Sequence, residues 1–209
     1  MTPASSSAPS PSARELIARV HRERRSGVVE VAVEEGVRRL VLRDGELFLP
    51  ADHPLAGAVA PFLPLWPPRA RAAGGAREVR GLMARIAFLV GSWEGETRWI
   101  AEEEGGEMVG PLPTRLLLME WAAGRSADEL AAALGGDEAE LAAREPEDRS
   151  AALAARLLDP HAAVLLSRLS RPTRLADVVR QTGGARGRVL ADLARLEAAG
   201  LIRRRAEAV

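Results

Sequence analysis

The sequence predicts an α+β protein: a small antiparallel sheet with packed helices, followed by a helical, winged-helix-like domain. Three observations carry this. Residues 28–49 alternate apolar and polar side chains in short runs divided by turn residues, the pattern of half-buried strands. Residues 76–91 and 114–123 return to helical spacing. Residues 150–209 read as helix, helix, turn, helix and a short apolar-to-basic strand, the outline of a winged helix.

Met1 to Ser12 hold Ser, Pro, Ala and Thr after the initiator, with no basic start and no apolar run, so residues 1–12 are expected to be a disordered tail rather than a secretory signal. From Ala13 to Arg25, Leu16, Ile17 and Val20 share one helical face, and Gly27 marks the stop. Val29, Val31 and Val33 then alternate with Val28, Glu30, Ala32 and Glu34. Glu35-Gly36 makes a turn, Val37 to Leu42 forms a second strand, and Asp44-Gly45 is a hairpin pair before Glu46 to Leu49. Together these make a three-stranded meander. Asp52 to Gly75 carry five prolines and suit a helical turn followed by an irregular connection. A helix over Ala76 to Gly91 leads through Trp93-Glu94-Gly95 into a strand ending at Ile100, and Pro111-Leu112-Pro113 is a stiff entry to a helix over Thr114 to Ala123.

Ser126-Ala127-Asp128-Glu129 has a cap residue with an acid three positions on, the capping-box arrangement. The chain from there to about residue 149 is alanine-rich and acidic, and we assign 125–149 to an acidic helical connector between an α+β domain at 13–124 and the helical domain at 150–209. That last domain holds a helix from Ala151 to Leu169, restarted at Asp159-Pro160, then helices over Arg174 to Thr182 and Ala185 to Ala199. The neutral total charge conceals an asymmetry. Glu94 to Asp148 has 15 acids against 4 arginines, whereas Ser150 to Val209 has 11 arginines against 5 acids. Acidic connector and basic tail are therefore expected to dock, within one chain or between two.

Composition narrows the chemistry. At 209 residues there is room for two modest cores. With no cysteine there is no disulfide, thiolate nucleophile or Cys-based zinc site, and every one of the 29 basic residues is arginine, which removes Schiff-base chemistry and the lysine of a phosphate-binding loop. The missing Lys and Tyr, beside abundant Ala and Arg, fit the codon bias of a GC-rich genome. His21, His53 and His161 lie in separate segments without an i,i+4 pair, and no serine sits in a Gly-x-Ser-x-Gly elbow. Glu102, Glu103, Glu104 and Glu107 lack the regular oxygen spacing of a calcium loop. Gly183-Gly184-Ala185-Arg186-Gly187 follows a helix rather than a strand, as in the turn of a helix-turn-helix motif. The longest apolar run, around Ile86 to Val90, falls far short of the ~20 residues that span a bilayer. No catalytic, metal or cofactor residues are assigned, and the expectation is a soluble, cytoplasmic protein without membrane insertion.

Arg25-Ser26-Gly27-Val28-Val29-Glu30-Val31, Leu42-Arg43-Asp44-Gly45-Glu46-Leu47, Ser92-Trp93-Glu94-Gly95-Glu96-Thr97-Arg98-Trp99 and the closing Leu196-Glu197-Ala198-Ala199-Gly200-Leu201-Ile202 together resemble the PATAN domain family, over roughly Arg14 to Ile202. The chain departs from that pattern at Leu49-Pro50-Ala51-Asp52 and in the insert from Pro61 to Pro68. The resemblance implies a non-catalytic bacterial signalling module acting through protein contacts, with a response regulator, a small GTPase or a motility component as the kind of partner, and with no cofactor.

Two classes of function follow. In the first, the chain is an adaptor, and Trp66, set among prolines, is a possible partner anchor. In the second it is a transcription regulator, with Arg186, Arg188 and Arg195 on the last helix and Arg203, Arg204 and Arg205 after it as contacts to bases and phosphates. The same six arginines could equally meet a protein partner.

Overall fold

The computed structural model describes residues 11–54, 56–59, 73–101 and 105–205. It is an α+β fold with two antiparallel sheets. The chain divides into two compact units, one of Met1–Leu63 and Phe88–Leu112, the other of Pro64–Ala87 and Pro113–Val209. Both draw on two separated stretches of sequence, unlike the consecutive domains that the sequence suggests.

The first unit opens with α1 (Ala13–Glu23), held by a capping box in which the Ser12 hydroxyl accepts the Glu15 N–H and the Glu15 carboxylate accepts the Ser12 N–H. Leu16, Ile17 and Val20 are buried, as their spacing requires. Strands β1 (Gly27–Val33), β2 (Gly36–Arg43) and β3 (Glu46–Pro50) form the meander. Asp44 and Gly45 both take positive φ, 50° and 77°, which matches the right-handed twist of a tight hairpin. The turn is anchored on α1, where the Gly45 carbonyl lies 2.8 Å from His21 Nδ1. A short helix α2 (Ala56–Val59) follows; α3 (Ala73–Gly91), which starts earlier than predicted, belongs to the second unit as far as Ala87 and to the first from Phe88. Strand β4 (Thr97–Ile100) pairs with β1, and β5 (Met108–Leu112) pairs with β3, giving the order β4-β1-β2-β3-β5. Strand β5 is not foreseen in the sequence, where Pro111-Leu112-Pro113 reads as a stiff entry to the following helix. At a sheet edge a proline is tolerated, since its missing N–H would face outward.

The second unit contains α4 (Thr114–Ala123), α5 (Ala127–Ala133), β6 (Glu140–Ala143), α6 (Arg149–Arg156), α7 (Pro160–Arg168), β7 (Thr173–Arg174), α8 (Leu175–Thr182), α9 (Arg186–Ala198) and β8 (Ile202–Arg204). The break at Asp159-Pro160 is where it was expected. Asp159 accepts the Ala162 N–H at 2.8 Å and Pro160 occupies the first helical position. The capping box of Ser126 and Glu129 likewise opens α5. The expected helical connector does not hold as such, because residues 125–149 supply one short helix and then strand β6, whose Leu141 and Ala142 are buried.

Strand β6 is the middle of the second sheet, in the order β7-β6-β8. Among the described residues the strand-like end of the chain therefore pairs with a strand that precedes the helices of residues 150–198. Helix α9 is the centre of the unit. Val189, Leu190, Asp192, Leu193, Ala194 and Leu196 are buried, and the helix packs most extensively on α4, then on α5, α7 and α8.

Candidate interaction surface

Each arginine singled out from the sequence has a definite environment, and four of the six face an acid. Arg186, exposed at the start of α9, donates to Asp137 Oδ1 at 2.7 Å. Arg195 lies between Asp192, at 2.8 Å, and Glu120, at 3.6 Å. Arg204 meets Glu197 at 2.8 Å and Arg205 approaches Glu140 to 3.8 Å. The side chains of Arg188 and Arg203 are exposed and make no ion pair among the described residues. Trp66 lies outside the described residues.

A DNA reader of the predicted kind would need one face of α9 open to the major groove. Here Arg186 and Arg188 are exposed, Gly187, Ala191, Arg195, Glu197 and Ala198 are half-buried, and the remaining residues of the helix are buried against neighbouring elements. Asp192, read from the sequence as an interruption of a basic face, points instead into the core. It is 2 % exposed and bonded to His161 Nδ1 at 2.6 Å as well as to Arg195.

The acidic segment between α5 and β6 organises the surface nearby. Beyond Asp137 and Arg186, Glu138 pairs with Arg174 at 3.2 Å. Its backbone also takes part, since the N–H groups of Leu175 and Ala176, at the start of α8, donate to the carbonyls of Ala139 and Asp137 at 2.9 and 3.0 Å. Helix α8 has no side-chain cap of its own, so this segment supplies acceptors that its first turn requires. The expected docking of acidic connector on basic tail thus occurs within one unit.

A second charged cluster, unforeseen in the sequence, lies on the first sheet. Glu30 on β1 stands between Arg39 on β2, at 2.9 Å, and Arg98 on β4, at 2.5 Å, its register partners on either side. The Arg98 hydrogen bond, opposed by burial and reinforced by the charges of both arginines, holds the carboxyl below its ordinary value of 4.5. Elsewhere in this unit, burial, assisted by the Arg38 charge, lowers the value of His53. The alternation of β1 placed Glu30 opposite Val29, Val31 and Val33, but nothing local announced partners 9 and 68 residues away.

Comparison with protein-family models, curated proteins and solved structures finds no match to this chain. Among the described residues there is no group of three or more His, Asp or Glu placed to hold a metal ion, and no helix long and apolar enough to cross a membrane.

Proposed function

We propose that this chain is a non-catalytic protein-interaction adaptor in bacterial signalling, working through its α+β unit and its helical unit. The observation that carries the reading is the position of α9. The helix that a winged-helix regulator would place in the major groove has six residues buried in its own unit, where it packs on α4, α5, α7 and α8. Arg186, Arg195, Arg204 and Arg205 each face a carboxylate, which weakens the attraction for phosphate that non-specific DNA binding depends on. The resemblance to the PATAN family supports the signalling context, and a cytoplasmic location goes with it.

The second reading, a DNA-binding regulator, is favoured by one observation: Arg188 and Arg203 are exposed and unmatched among the described residues. A titration of the purified chain with mixed-sequence duplex DNA over a range of salt separates the two. The adaptor reading expects no specific complex at physiological salt. Tight binding that weakens steeply with salt and disappears in Arg186→Ala/Arg188→Ala would replace it with the regulator. Turnover of a nucleotide or ester by the pure protein, lost on a point substitution, would sink both.

A further inference from the structure

We infer that His161 is a phosphoryl acceptor, an imidazole whose Nε2 is presented as a nucleophile by the buried carboxylate of Asp192. From α7 the ring turns its Nδ1 to Asp192 Oδ2, 2.6 Å away, and that acid is 2 % exposed. A carboxylate is costly to bury unless its charge is matched. Arg195 Nη1 matches it at 2.8 Å on the other oxygen, and the same guanidinium reaches Glu120 of α4 at 3.6 Å. An ionised carboxylate can only accept, so Nδ1 carries the hydrogen and the neutral ring keeps its lone pair on Nε2.

That second nitrogen is open. The His161 side chain is 26 % accessible, and Nε2 has no hydrogen-bond partner among the described residues. Gly184, in the turn between α8 and α9, lies beside it. Gly183 needs its glycine, because its φ is 68°. Gly184 has no positive φ, and a Cβ there would stand 3.6 Å from Val189 Cγ2 and 3.9 Å from His161 Nε2, both ordinary contacts. Neither backbone nor space demands a glycine at 184, and its missing side chain leaves the nitrogen uncovered.

The uses of such a nitrogen differ in what else they require. A metal site needs further ligands, and no group of three or more His, Asp or Glu stands ready among the described residues. General-base catalysis needs a hydroxyl within reach, and none is bonded to Nε2. Phosphoryl transfer from a phosphoramidate needs the ring alone. Nε2 attacks phosphorus, the new N–P bond forms as the donor's P–N bond breaks, and ammonia leaves with the protons that the donor nitrogen already carried. The positive charge left on the ring lies against Asp192. One phosphate received per chain is not turnover, so this step goes beyond the adaptor reading and its failure would leave that reading untouched.

The test incubates the full chain with potassium phosphoramidate at neutral pH and follows phosphate on each histidine by peptide mass mapping and phosphorus NMR. His21 and His53 are controls in the same molecule, His21 Nδ1 lying against the Gly45 carbonyl at 2.8 Å and the Glu46 carboxylate only at 4.0 Å. His161 is expected to be labelled about tenfold faster than either, the scale on which a carboxylate partner acts on the histidine it holds. Gly184→Leu sets a side chain over Nε2 and should remove that advantage, with the melting temperature and the rates at His21 and His53 unchanged. Asp192→Asn keeps the shape without the charge and should slow His161 about tenfold. Labelling of His161 no faster than the other two, or undiminished in Gly184→Leu, would overturn the inference. An unchanged rate in folded Asp192→Asn would overturn the positioning role given to the carboxylate. Selective modification of His161 by diethyl pyrocarbonate, with none by phosphoramidate, would overturn the assignment to phosphoryl groups.

Discussion

Glu30 shows what a carboxylate does when it is covered by its partners rather than by a core. Its side chain is only 4 % accessible, but Arg39 and Arg98, which cover it, are themselves 53 % and 69 % accessible, so water lies close to the cluster. The pair energies are therefore of the surface kind, not those of a deeply buried ion pair. Because the folded protein holds Glu30 below its ordinary 4.5, the stability it contributes is complete above that pH. It is lost as pH falls through the folded value. Glu30→Gln is expected to cost about 1 kcal/mol at neutral pH. Denaturant midpoints of the two proteins should converge as the solution is acidified below pH 4.5, and a difference that persists there would count against this account.

At the scale of elements, caps and turns were the most legible features, because their chemistry is local. Ser126 with Glu129, Asp44-Gly45 and Asp159-Pro160 all stand where their sequence neighbours placed them, whereas Ser12, read as part of a disordered tail, caps α1 with Glu15. Removing the last of these caps in Asp159→Ala should destabilise the protein by ~1 kcal/mol, read as a lower denaturant midpoint with an unchanged slope. Strand β6 shows the opposite case. Glu140-Leu141-Ala142-Ala143 has the composition of a helix, and only pairing with β7 and β8, some 30 to 60 residues downstream, makes it a strand. The same distance hid the role of the arginines. A helical pattern identified α9 and its basic residues, but the enclosing helices and the matching acids are properties of the folded unit, and the basic residues alone pointed towards DNA.

For the whole molecule, division into interleaved units changes what can be cut. The second unit takes Pro64–Ala87 as well as Pro113–Val209, and its buried Trp121 donates its indole N–H to the Ala87 carbonyl at 2.7 Å. A fragment starting at residue 113, where the longer stretch of that unit begins, deprives that N–H of its acceptor. It also discards Leu82, Met83 and Ile86, which are buried. It should melt well below a fragment of residues 64–209, since an orphaned buried donor alone costs ~1–3 kcal/mol. Equal melting temperatures would show that the N-terminal stretch contributes nothing to the unit.

Among the described residues the second sheet ends at β8, a strand paired with β6; it carries Arg203, which makes no ion pair among the described residues, and Arg204, and runs directly into Arg205, the last two exposed even in their pairs with Glu197 and Glu140. An open strand edge is a template on which another chain can add itself, and a row of like charges makes that addition repulsive. Arg203→Ser/Arg204→Ser/Arg205→Ser should therefore leave the fold intact and shorten the lag before light scattering rises in a concentrated, gently warmed solution. On that account the basic end of the chain keeps neighbouring molecules apart, a service that needs no ligand at all.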